Sequence, residues 1–166
     1  MRAPFILTVI AAAAVGFMAA TIQPIALAHC QVPCGIYDDS MRITMLREDA
    51  TTIRKAVTTL KGLLIQQDGD GLLMFNQSTR WISEKDHSAT NIQRIVSDYF
   101  LTQRVKAVPA ADPGHAAYLD QLSKMHAILV AAMKCKQTVD PANVDALEVA
   151  IEAIAGSYTH DHDQGG

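Results

Sequence analysis

Residues 40–64 read SMRITMLREDATTIRKAVTTLKGLL, and this stretch decides the fold. Its apolar residues Ile43, Leu46, Ala50, Ile53, Val57, Leu60 and Leu64 recur at steps of three and four, which is the stripe of an amphipathic helix. Asp38, Asp39 and Ser40 stand just ahead of it, and all three are good N-cap types. Downstream, Asp68-Gly69-Asp70-Gly71 reads as a turn. A second helical region follows from about Leu72 to Val105, with Trp81, Ile92, Ile95, Val96, Tyr99 and Phe100 on its core face and an interruption expected near Asp86-His87-Ser88. Pro109 and Pro113-Gly114 mark a connection. A third helix covers about His115 to Cys135, with Leu119, Leu122, Met125, His126, Leu129 and Met133 on one side. Asp140-Pro141 is a cap followed by proline at the first helical position, and a fourth helix runs to about Tyr158. Strand alternation is nearly absent. Four stripes joined by short connections predict an all-α, antiparallel four-helix bundle over residues 38–159, with 160–166 as a flexible tail.

Upstream of the bundle the composition changes twice. Residues 1–28 read as an export signal: Arg2 is the positive start, Phe5–Ala20 is an apolar run, and Ala26-Leu27-Ala28 is a small-residue cleavage site. The run of 16 residues is short for a membrane anchor, which needs about 20. His29 precedes Cys30 where a lipoprotein signal needs a small residue, and one arginine is no twin-arginine pair. A cut by signal peptidase after Ala28 leaves 138 of the 166 residues, enough for one domain, and moves the net charge from −3 to −4 as Arg2 departs. A mildly acidic chain with no basic stripe gives no support for nucleic-acid binding, and none for a membrane role after cleavage. The expected location is outside the cytoplasm, periplasmic or extracellular.

The cut would also expose a hook. Residues 29–37 read His29-Cys30-Gln31-Val32-Pro33-Cys34-Gly35-Ile36-Tyr37. An N-terminal His29 offers its α-amine as well as its imidazole. That amine and the backbone amide nitrogen of Cys30 close a five-membered chelate ring, the same amide and the Cys30 thiolate close another, and Cys34 returns a thiolate to the fourth corner. Pro33 and Gly35 make the tight turn feasible. Two nitrogens and two sulfurs in a plane suit Ni(II) or Cu(II) and fit Zn(II) poorly. The imidazole remains for an axial position, which suits a metal cycling between +2 and +3.

His-Cys-x-x-Pro-Cys-Gly-x-Tyr at a processed N-terminus resembles the nickel hook of nickel-containing superoxide dismutases. His29, Cys30, Pro33, Cys34, Gly35 and Tyr37 meet every fixed position, and Ser97-Asp98-Tyr99-Phe100 with Leu101-Thr102-Gln103-Arg104 resembles the family's second helix. The resemblance implies conversion of superoxide to dioxygen and hydrogen peroxide by Ni(II)/Ni(III) cycling, with one nickel ion per chain. It implies metal ligands His29 (amine and imidazole), Cys30 (amide and thiolate) and Cys34 (thiolate). Tyr37 would lie over the open face, Tyr99 would be a second tyrosine near the site, and the chains would assemble as a homohexamer. In the family a glutamate early in the first helix, paired with an arginine, holds the axial imidazole. Ile43-Thr44-Met45-Leu46 has no carboxylate; Glu48 or Asp39 are the candidates, with Arg80 or Lys85 as the cation.

Other readings attach to the same residues. The hook could serve an exported, non-catalytic nickel- or copper-binding protein. A Cys30–Cys34 redox disulfide fits less well, because the spacing is Cys-x-x-x-Cys and no βαβ pattern follows. Tyr37 and Tyr99 also read as ordinary half-buried aromatics. His87, His115 and His126 read as surface or core histidines, Cys135 as a buried structural thiol, and His160 and His162 as part of a solvated tail.

Overall fold

The computed structural model describes residues 39–65 and 70–159. The export signal, the hook (His29, Cys30, Cys34 and Tyr37 included), residues 66–69 and the His160/His162 tail lie outside the described residues. The described chain is four α-helices with no strand: α1 (Asp39–Ile65), α2 (Gly71–Arg94) continuing into a π-helical segment (Ile95–Arg104), α3 (His115–Gln137) and α4 (Pro141–Tyr158). None of the described helices is long and apolar enough to cross a membrane.

The bundle is built from the stripes that the periodicity marks. Ile43, Leu46, Ala50, Ile53, Val57 and Leu60 of α1 are all buried. All but Leu60 pack in one core with Ala89, Ile92 and Phe100 of the second helical region, Met125 and Ile128 of α3, and Val144, Leu147 and Ile151 of α4. Burial of such side chains contributes roughly 1.5–3 kcal/mol each, which is what ties the four helices together. The caps are local chemistry. Asp70 accepts hydrogen bonds from the Leu72 and Leu73 amides, and Asp140 from the Ala142 amide with Pro141 at the first turn.

Three expectations are corrected. The second helix is not interrupted at Asp86-His87-Ser88, because Ser88 and Ala89 are buried within a continuous turn and Lys85 anchors it. The Lys85 ammonium, 2 % exposed, donates to the Cys135 and Lys136 carbonyls at the end of α3 and to Asp86. A cation there answers the unpaired carbonyls and dipole of a helix C-terminus. The regular α pattern changes instead at Ile95. The second correction is the phase of α3. Met125 is buried, with Ile128, Ala132 and Cys135, while Leu119, His126 and Met133 are exposed. Trp81 is half-buried rather than core, with the Lys55 ammonium 5.8 Å from its ring centroid.

Cross-helix ion pairs lock the α1–α4 seam. Arg47 makes a two-pronged pair with Glu152 at 2.7 Å, and Arg54 bridges Glu148 and Asp145 at 2.6–2.8 Å. These side chains are partly exposed, so their contribution to stability is small and their role is to fix register.

Candidate functional site

The end of the bundle where α1 begins carries a polar cluster. Asp39, two residues after Tyr37, opens α1 and is 7 % exposed. Its carboxylate accepts a hydrogen bond from the Tyr99 hydroxyl at one oxygen and from the Arg104 guanidinium at the other, each at 2.5 Å. The Arg42 guanidinium lies 5.1 Å from the centroid of the Tyr99 ring. Phe100 backs the cluster, edge-on to both Tyr99 and Tyr158.

The π-helical segment makes this convergence. In an α-helix residues five apart point about 140° away from each other. An i→i+5 ladder brings them nearly into line. The ladder is visible where the Val105 amide donates to the Phe100 carbonyl at 2.8 Å. Thr102 and Gln103 side chains reach the carbonyls of Ser97 and Asp98, five residues back in each case. Tyr99 and Arg104 are also five apart, so both reach Asp39. Single-sequence reasoning named Tyr99 and Asp39 but missed Arg104 and Arg42. The signal for Arg104 was its five-residue spacing from Tyr99, which α-periodicity does not register.

The other candidates fall elsewhere. Glu48 is exposed and nine residues beyond Asp39, about 13 Å along the helix axis. Lys85 serves the C-terminus of α3 and Arg80 is exposed, so the cation that meets Asp39 is Arg104. His115 bonds the Val108 carbonyl, and His126 is exposed. Cys135 is 1 % exposed, and burial pushes its thiol up to about 11. Among the described residues no group of three or more His, Cys, Asp or Glu could hold a metal ion.

The family model of nickel-containing superoxide dismutase matches residues 24–162. The chain belongs to the nickel-containing superoxide dismutase family. This superoxide dismutase is accordingly an oxidoreductase with a nickel cofactor and superoxide as its substrate. No curated protein and no solved structure gives a match.

The electrostatics of the dismutase's Tyr99 follow from its setting. Burial pushes its hydroxyl up to about 12, and the hydrogen bond to Asp39 acts in the same direction. Burial, then the Asp39 charge, also raises Tyr158. A tyrosine raised in the folded state favours the folded state while it is protonated. Its contribution is fully present below its ordinary value of 10.0 and is lost as pH rises through about 12. We therefore expect thermal stability to fall between pH 10 and 12, and the Tyr99→Phe variant to lose less over that window. A melting series over that range, with tyrosinate absorbance followed in parallel, checks both. Equal losses in the two proteins would contradict the assignment.

Proposed function

We propose that the mature enzyme begins at His29 and holds one nickel ion through the His29 amine and imidazole, the Cys30 amide and thiolate, and the Cys34 thiolate. The observation that carries this reading is that the family match spans residues 29–37 and not only the helices. The donor chemistry supports it. Thiolate and deprotonated amide donors fit a square-planar ion and lower its potential into the range superoxide can use in both directions. The absence of a ligand cluster among the described residues agrees with it. Nickel supplies one-electron cycling between Ni(II) and Ni(III); two superoxide ions and two protons become dioxygen and hydrogen peroxide.

The chain's own residues do the rest. Asp39 and Arg104 form the carboxylate–arginine pair at the end of the bundle that adjoins the hook. In this reading Asp39, rather than Glu48, steadies the His29 imidazole through a lone pair left over from Tyr99 and Arg104. A partner that orients a metal-bound histidine also fixes which nitrogen binds. Tyr37 covers the open face and restricts it to a small anion. Tyr99 keeps its proton throughout the physiological range, so it donates a hydrogen bond and does not act as a base. Maturation requires export, which places the working enzyme in the periplasm or outside the cell, as a homohexamer.

Purified mature chain loaded with nickel is the test. One ion per chain and turnover far above that of free nickel are expected. Stoichiometric binding without turnover would replace the enzyme by an exported metal-binding protein.

A further inference from the structure

Tyr99 is held from three sides. Its hydroxyl donates to Asp39. Phe100 stands edge-on to it, with the ring planes at 86° and the centroids 5.2 Å apart. Over its face lies the guanidinium of Arg42, 5.1 Å from the ring centroid, where a cation is attracted by the negative face of the ring. Two of these three contacts come from one turn of α1. Arg42 follows Asp39 by three residues, and side chains at that spacing are neighbours on a helix.

Arg42 is itself anchored. Its Nη1 lies 3.6 Å from the sulfur of Met45, three residues further on, and Met45 packs against the core. A thioether is a weak acceptor, so this contact places the guanidinium without cancelling its charge. Arg47 and Arg54, further along α1, are taken up by carboxylates of α4. Arg42 instead meets the bundle at a thioether and a ring face. The consequence is geometric. A phenolic O–H lies in the plane of its ring, because the oxygen is conjugated with it. The ring plane therefore sets the directions in which the Tyr99 oxygen gives and accepts hydrogen bonds. Asp39 fixes where that oxygen lies, and Arg42 with Phe100 fixes the plane.

We propose that Arg42 is a positioning residue for superoxide turnover. It acts through Tyr99, by holding the ring plane in which the phenolic oxygen meets the small anion and its protonated product. The inference rests on the reading that puts the hook at this end of the bundle. It makes Arg42 different in kind from Arg104. Arg104 balances the charge of Asp39, whereas Arg42 orients a ring.

The test is a double-mutant cycle on the nickel-loaded mature enzyme, with superoxide supplied by pulse radiolysis. Arg42→Met keeps an unbranched stem and removes the cation. It should lower kcat/KM about tenfold, the scale of one partly desolvated cation–π contact. Arg42→Lys returns a cation and should recover part of the loss. Tyr99→Phe keeps the ring but leaves no oxygen to aim, so in that background Arg42→Met should cost less than about twofold. Equal losses in the two backgrounds overturn the proposal, because Arg42 would then act on the anion or on the fold directly. No loss in either background also overturns it. A second readout does not use turnover. The Tyr99 band in near-ultraviolet circular dichroism, taken as wild type minus Tyr99→Phe, should weaken in Arg42→Met while the helical signal stays. An unchanged band overturns the clamp. If wild type holds nickel without turnover, the proposed function fails and the band still decides the clamp. If Arg42→Met does not fold, Arg42→Gln carries the same cycle.

Discussion

Placing one alanine ahead of His29 in the mature enzyme is expected to reduce turnover to that of free nickel, a loss of at least about a hundredfold. The reasoning is geometric. In the proposed site the amine of His29 and the amide of Cys30 share one five-membered ring. An added residue turns that amine into a peptide nitrogen and moves the only free amine to the alanine. A chelate from that new amine uses the His29 amide and leaves the Cys30 thiolate one residue out of place. The imidazole and both thiolates are still present, so the variant separates the amine from the rest of the ligand set. Turnover per chain and bound nickel measured on the same sample give the result. Full activity in the extended protein would refute the coordination.

The second large effect concerns Asp39. Replacing it with alanine leaves a buried Tyr99 hydroxyl and the Arg104 guanidinium without their shared acceptor. Truncating one partner of a buried, hydrogen-bonded charge network costs about 3–5 kcal/mol. Arg104 is nearly half exposed, and solvent screens its share, so about 2–3 kcal/mol is expected. In a domain of this size that lowers the melting temperature by roughly 5–10 °C. Tyr99→Phe removes one hydrogen bond and should cost only about 1 kcal/mol. Calorimetry on the three proteins orders them. A shift of less than two degrees for Asp39→Ala would show that the cluster carries no such load.

How far the sequence could be read depended on what each signal measures. Helix periodicity reports burial, so the α1 stripe from Ile43 to Leu60 was legible residue by residue, and caps such as Asp140-Pro141 fixed the start of α4. The phase of α3 was not legible. Leu119, Leu122, Met125, Leu129 and Met133 offer apolar residues on two adjoining faces, and only packing against α2 and α4 selects the one holding Met125, Ile128, Ala132 and Cys135. The turn at Asp86-His87-Ser88 looked polar enough to break a helix. Lys85 is held by carbonyls fifty residues away, which no local window contains. The π-helical segment escaped for a related reason: it leaves hydrophobicity intact and changes only the hydrogen-bond step, so the pairing of Arg104 with Tyr99 on Asp39 appears once the backbone is in place. The hook motif is read from donor types and their spacing alone, and it lies outside the described residues.

Of the three cysteines in the sequence, Cys135 is the one that stands apart from the hook. Its burial beside the Lys85 anchor, with a thiol held near pH 11, leaves well under one part in a thousand as thiolate at neutral pH. Thiolate is the form that peroxide oxidises and the form that metals capture. The Cys135 thiol is therefore quiet toward both the enzyme's product and its cofactor. In the proposed site nickel is taken by the thiolates of Cys30 and Cys34, and the one thiol described in the helices does not compete for it.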